Sequence, residues 1–217
     1  MFIEFQPKLY ADESLLKNKQ KSRKNEALYY SALKKLKHLT AKQTTLIIGA
    51  GGVGLAGIGM AKAILKTKII VADIDPEKRK AAIELGADEV IDNGAVDASK
   101  NLMIMTNGGP DGVVDFVGAP TTSTFGFQVL AKGGTLVVVG LYGGGMELSL
   151  SLLPLKVVDI RGSYVGTQQD LVELLELMRE GKVKSVPIIK RQLSEAPLAI
   201  QDLRSGKDIG RYVLINY

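Results

Sequence analysis

Cysteine is absent from the 217 residues, so the chain has no disulfide framework and no thiolate to hold a metal or attack a substrate. Histidine occurs once, at His38. With no carboxylate cluster near it in sequence, it reads as a surface residue on a basic helix rather than a ligand or general base. An early acid interrupts Met1-Phe2-Ile3-Glu4-Phe5 and no sustained apolar stretch follows, which argues against a secretory signal and sets a cytoplasmic location as the expectation. The longest uncharged run, Thr44 to Ala61, approaches the length of a membrane span. It holds six glycines, at 49, 51, 52, 54, 57 and 59, which suit a nucleotide loop better than a lipid-facing helix. No membrane segment is expected.

What is present describes a globular chain with one odd end. Hydrophobic residues make up 46% and charged residues 24%, ordinary values for a packed domain. The length accommodates one large domain, or one domain with an appendage. Net charge is +5, and it is unevenly placed: residues 1–42 hold ten basic groups against four acidic ones, while the remaining 175 hold eighteen against nineteen. The basic run Lys17 to Lys24 has no interleaved aromatic residues, which argues against a nucleic-acid site and for a solvated, disordered lead-in. The expected division is a basic extension over 1–25 and a domain over 26–217.

The organising stretch is Leu46-Ile47-Ile48-Gly49-Ala50-Gly51-Gly52-Val53-Gly54-Leu55, an apolar run that breaks into glycines and resumes with helical spacing. It predicts strand, tight turn and helix. The spacing Gly49-x-Gly51-x-x-Gly54 allows a sharp turn at Gly49, lets backbone approach a pyrophosphate at Gly51, and seats the helix on its strand at Gly54. An anion would rest on free N–H groups at the helix's positive end. Glycine triplets also occur in ordinary loops, so the next segment matters. Lys68 to Ala72 is a second apolar run closed by Asp73, nineteen residues past Gly54, where a dinucleotide fold needs a carboxylate for the adenosine ribose.

Along the chain, helical spacing runs over Glu26 to Leu39, then strand Thr44–Gly49, helix Val53–Leu65 and strand Lys68–Ala72. Asp75 can cap the next helix, Pro76 fits its first position and Gly86 stops it. Strand Glu89–Asp92, helix Ala95–Met105, strand Val113–Val117, helix Thr121–Leu130 and strand Thr135–Leu141 follow. Beyond them come strand Val157–Gly162, a helix opened by the capping box Thr167 to Asp170, a last helix from Ser194 to Gly206, and a final strand Tyr212–Ile215. The alternation predicts an α/β, Rossmann-type doubly wound parallel sheet with a basic helical extension at the amino end.

From about Leu28 onward the chain resembles the coenzyme-binding half of the zinc-type, medium-chain alcohol dehydrogenases. The resemblance rests on Tyr30-Ser31-Ala32-Leu33, Gly49 to Gly54, Val71 to Asp75, Glu84 to Asp88, Val114 to Gly118, Val138 to Leu141, Arg161 to Gly166 and Gly206 to Arg211, in that order. It implies that Gly51, Gly52, Val53 and Gly54 meet the pyrophosphate of NAD, that Asp73 and Lys78 meet the adenosine ribose, and that Val117 lies at the nucleoside edge. Backbone at Val139, Leu141 and Val165 would meet the nicotinamide carboxamide, and Arg211 a phosphate. Val117, Val139 and Leu141 are core strand residues on any reading, and Lys78 and Arg79 also suit a solvated helix face. A carboxylate at Asp73 would repel a 2′-phosphate and favours NAD over NADP, although Arg79 keeps NADP open.

The relatives carry, upstream of this half, a domain with the zinc ligands and most of the substrate pocket. Here a basic stretch only some twenty-odd residues long stands in that region, the position of the last catalytic zinc ligand falls near Lys24, and no zinc is expected in this chain. The family reaction is hydride transfer between NAD and an alcohol or carbonyl, and a separate chain could supply the missing half. The other reading is a non-catalytic NAD-binding regulatory or scaffold module. Tyr30-x-x-x-Lys34 matches the catalytic pair of short-chain reductases only superficially, because it precedes the first strand, and the block-by-block match argues against a methyltransferase. Relatives pair edge strands of this domain, so a homo-oligomer, expected as a dimer through Val157 to Gly162, is anticipated.

Overall fold

A computed structural model describes residues 20–206 and 209–215. Residues 1–19, 207, 208, 216 and 217 and the side chains of 20–25 lie outside that description. The expectations for a disordered lead-in and for the zinc-ligand position at Lys24 fall there.

The elements run in the order α1 (Gln20–Lys34), β1 (Thr44–Ile48), α2 (Gly52–Ile64), β2 (Lys68–Ala72), α3 (Pro76–Leu85), β3 (Glu89–Ile91), α4 (Ala98–Met105) and β4 (Gly112–Asp115). There follow α5 (Pro120–Val129), β5 (Thr135–Val138), α6 (Leu152–Lys156), β6 (Asp159–Gly162), α7 (Gln168–Arg179), β7 (Ile188–Gln192), a short 3-10 turn at Leu193–Glu195, α8 (Ala196–Ser205) and β8 (Arg211–Ile215). Strands β1 to β6 form one parallel sheet in the order β3-β2-β1-β4-β5-β6. The direction of winding reverses between β1 and β4, which opens a crevice at their carboxyl ends.

Alternation along the strands feeds two cores. Leu46 and Ile48 join Ile70, Val113 and Leu136 under α4 and α5, through Leu102 and Phe125. Ile47 joins Val71, Val114 and Val137 under α1, α2, α3 and α7, through Leu33, Leu55, Ala82 and Leu174. A strand buried on both faces is mostly apolar, which is why these runs read as continuous rather than alternating. Helix α3 forms as its ends demand. The Asp75 carboxylate accepts from the Glu77 and Lys78 N–H groups, Pro76 occupies the first turn, and Gly86 closes the helix at φ +117°. Likewise Thr167 and Asp170 cap α7 reciprocally.

Several expectations need correction. The helix expected from Ala95 begins at Ala98, and the strand expected to reach Leu141 ends at Val138. The first helix ends at Lys34 instead of Leu39, and the chain continues through bonds three residues apart, such as Leu36 N–H to the Leu33 carbonyl at 2.9 Å. The last helix begins at Ala196 rather than at Ser194, which lies inside the 3-10 turn. The final strand does not extend the main sheet: β8 pairs in parallel with β7, a strand the sequence reading missed, as a separate two-stranded sheet. Arg191 of β7 donates to Asp202 of α8 at 2.6 Å and fastens this small unit together.

Candidate functional site

The glycine turn and the acid at the tip of β2 meet. The Ala50 N–H, inside the turn, donates to Asp73 Oδ2 at 2.7 Å, and Asp75 N–H donates to Oδ1 at 2.9 Å. The half-buried Asp73 therefore fixes the turn while one side of it stays open. Gly49 adopts φ +93°, a left-handed conformation that side chains strain, and its N–H donates to the Ala72 carbonyl at 2.8 Å. A Cβ on Gly54 would overlap the Gly49 carbonyl oxygen, so helix α2 can start this close to β1 only with glycine there. At Gly51 a Cβ would meet nothing within 4 Å. Gly51 precedes α2 with no side-chain cap, which leaves the first N–H groups of the helix without a side-chain acceptor.

Beside the turn lies a cleft of about 590 Å³, lined by Gly51, Gly52, Val53, Lys78, Arg211 and an apolar wall from α8. Lys78 Nζ donates to the Gly206 carbonyl. Arg211 Nη2 donates to the Tyr29 hydroxyl at 2.7 Å. Val117 packs under Gly49, 2.6 Å from where its Cβ would stand. Arg79 is engaged within the protein: Nη1 donates to the Asp73 carbonyl at 2.7 Å and lies 3.3 Å from the Asp92 carboxylate.

The remaining expected residues, Val139, Leu141 and Val165, stand apart from that cleft beyond β5 and β6. Val139 is buried and its N–H donates to the Asp115 carbonyl at 2.9 Å. Leu141 is 79% and Val165 55% exposed, and Val117, Val139 and Leu141 all lie past the ends of β4 and β5, so the expectation of three core strand residues fails except for the burial of Val139. The crevice thus has a closely built end at the glycine turn and an open far end.

Sequence reasoning did not identify Asp115 as a site-building residue. It is fully buried at the end of β4, and its Oδ1 accepts from the Val117 and Gly118 N–H groups at 2.9 and 3.0 Å. Its Oδ2 accepts from the Thr122 and Ser123 hydroxyls at 2.9 and 2.7 Å. These four bonds shape the β4 tip that forms one lip of the crevice. A buried acid ending a strand, with Thr and Ser seven and eight residues on, was the available signal.

Tyr30 and Lys34 point elsewhere. The Tyr30 hydroxyl donates to Glu173 at 2.6 Å, and Lys34 Nζ donates to Glu173 at 2.9 Å and to Asp170 at 3.2 Å, clasping α1 to α7. The hydrogen bonds from Tyr30 and then Lys34 lower the Glu173 carboxyl from 4.5 to about 2. Asp170 is also lowered: burial works against this, but hydrogen bonds from Thr167 and Lys34 outweigh it. A carboxylate depressed in the folded chain contributes stability above its unfolded pKa and loses it as pH falls through the folded one. Melting temperature is therefore expected to drop between pH 4.5 and about 2, with a shallower drop in Glu173→Gln. Thermal melts across that window, followed by circular dichroism, would show it.

The zinc-binding dehydrogenase family model matches residues 52–180. This chain belongs to the zinc-binding dehydrogenase family. A curated NAD-dependent alcohol dehydrogenase of Sulfolobus acidocaldarius is 40% identical over 189 residues, covering 85% of this chain and 54% of the relative. One of the same description from Sulfurisphaera tokodaii is 37% identical over 188 residues, covering 86% and 54%. The crystal structure of the alcohol dehydrogenase from Aeropyrum pernix matches with a TM-score of 0.85 at 32% identity, over 97% of this chain and 60% of that one. The chain spans about half the length of the curated relatives it matches.

The family's name implies zinc. Among the described residues of this zinc-binding dehydrogenase chain, no three of His, Cys, Asp and Glu converge to hold a metal ion. The sequence contains no cysteine and His38 is exposed, so the described residues do not fit a zinc site. No helix among the described residues is long and apolar enough to cross a membrane.

Proposed function

We propose that this chain binds NAD across the carboxyl ends of the sheet, as the coenzyme-binding portion of an alcohol dehydrogenase-like oxidoreductase. The observation that carries this reading is the Asp73 carboxylate hydrogen-bonded into the glycine turn at Ala50, next to the open face of Gly51. Gly51, Gly52 and Val53 would receive the pyrophosphate on backbone N–H groups at the start of α2, with Arg211 and Lys78 adding positive charge along the cleft. Asp73 would accept from the adenosine ribose hydroxyls, with Val117 beneath. The engagement of Arg79 by Asp92 and the Asp73 carbonyl supports NAD over NADP, since its cation already has an anionic neighbour. Val139, Leu141 and Val165 would receive the carboxamide on backbone groups. The bound nicotinamide supplies the hydride chemistry; this chain's residues bind and orient it. Family membership favours this oxidoreductase reading over a non-catalytic module.

Calorimetry with NAD and NADH tests the reading, and absence of heat with both would remove it. Asp73→Asn is expected to weaken NAD about tenfold, the loss of one charge-assisted hydrogen bond, while leaving NADP unweakened. A variant that binds both cofactors like the unmodified chain would take Asp73 out of the site.

Self-association through β6 is the second part of the proposal. All four residues of Asp159–Gly162 are exposed, and Leu155, Val157, Ile160 and Tyr164 present apolar surface around that edge. An uncovered edge with apolar flanks supports pairing with a second copy. Sedimentation at several concentrations is expected to show a dimer that Ile160→Lys weakens; a monomer at every concentration would count against it.

A further inference from the structure

An arginine that lines the cleft has an anionic neighbour within the protein. Arg211, the first residue of β8, lies beside the uncapped start of α2, its Cγ 3.6 Å from where a Cβ on Gly52 would stand. Its Nη1 is 3.7 Å from Glu26 Oε1, a carboxylate on α1 with only 17% of its side chain exposed. Its other nitrogen, Nη2, is held by the Tyr29 hydroxyl, and the guanidinium carbon lies 5.5 Å from the Tyr29 ring centre. Tyr29 is itself anchored. Its ring meets Phe116 edge-on at 5.9 Å, and Phe116 directly follows Asp115 and packs against Gly57 of α2. Burial raises the Tyr29 phenol above its ordinary value, so it stays neutral and does not discharge the arginine.

The two contacts on Arg211 therefore differ in kind. The Tyr29 bond at 2.7 Å is short and neutral, and fixes where the guanidinium stands. The Glu26 approach at 3.7 Å is loose and anionic, the geometry of a partner that can be exchanged. We propose that Glu26 is an internal competitor for the phosphate position: it neutralises Arg211 in the empty cleft and yields Nη1 to an incoming diphosphate, while Tyr29 holds Nη2 throughout. This inference rests on the dinucleotide reading above, and gives the site a built-in threshold for anionic ligands. Every ligand phosphate must outcompete Glu26, so affinity is set below what the arginine and the α2 terminus alone would give.

Calorimetry with NAD and with ADP-ribose tests this. Glu26→Gln is expected to bind both about threefold to tenfold more tightly than the unmodified chain, the size of one partly buried charge contact, and the gain should shrink as salt is raised. In an Arg211→Gln background the same Glu26→Gln change should produce no gain, which separates loss of competition from a general change in the fold. Tyr29→Phe should weaken both ligands severalfold through the loosened guanidinium. Glu26→Asp, whose shorter side chain withdraws the carboxylate, should give a smaller gain and serves if the glutamine variant does not fold. Equal or weaker binding by the folded Glu26 variants would overturn the competitor role and leave the dinucleotide reading standing. If the unmodified chain binds neither ligand, both fall.

Discussion

Asp115→Ala is expected to cost about 3–5 kcal/mol of stability, the scale for removing one partner of a buried, fully hydrogen-bonded charged group. Four donors converge on this fully buried carboxylate, two backbone N–H groups and two hydroxyls. The hydroxyls of Thr122 and Ser123 can rotate toward other acceptors, but the N–H groups of Val117 and Gly118 point where the backbone sends them. Asp115→Asn should therefore lose less, about 1–2 kcal/mol, because its amide oxygen can keep the two N–H groups while the hydroxyls turn to accept from its NH₂. Urea unfolding of the three proteins measures both differences. An alanine variant within about 1 kcal/mol of the unmodified chain would mean that the β4 tip does not depend on this acid.

The second large effect divides the glycine turn into a folding part and a binding part. Gly54→Ala sets a methyl group against the Gly49 carbonyl, and backbone cannot move aside as a side-chain tip can. About 2–3 kcal/mol of destabilisation is expected, with dinucleotide binding reduced at least about tenfold as the turn is displaced. Gly51→Ala is the contrasting case. Its backbone, at φ −68° and ψ −177°, suits alanine, and the methyl would enter open space, so stability should stay within about 0.5 kcal/mol or rise slightly. On the proposed dinucleotide reading the same methyl stands in the path of the pyrophosphate, so binding should fall by about tenfold or more. Unfolding and calorimetry on the same preparations decide it. A Gly51→Ala protein that binds NAD normally would move the pyrophosphate away from the turn.

What the sequence made legible follows from how local each signal is. Helix α3 was readable because Asp75, Pro76 and Gly86 act within their own turn of backbone. The core strands were readable because burial on both faces favours apolar residues. Strand β7, Ile188-Ile189-Lys190-Arg191-Gln192, was not: it is half polar and finds its pairing only with β8, about twenty residues on, in a sheet of two. Helix α6 was also missed, with only five residues and none of them buried. The place of Tyr30 and Lys34 depended on carboxylates about 140 residues away on α7, which spacing alone cannot reveal. Asp73 was found as an acid closing a strand, but its bond to Ala50 had to be seen.

The central position of β1 has a consequence for how the chain is made. One edge of β1 can pair with β2 soon after both leave the ribosome, yet the other waits for β4: Gly112, the partner of Thr45, follows it by 67 residues. Until then a nascent Thr-Thr-Leu-Ile-Ile segment presents a bare apolar ladder to the crowded cell, and slow or interrupted synthesis between β2 and β4 lengthens the interval in which it can stick to a neighbour.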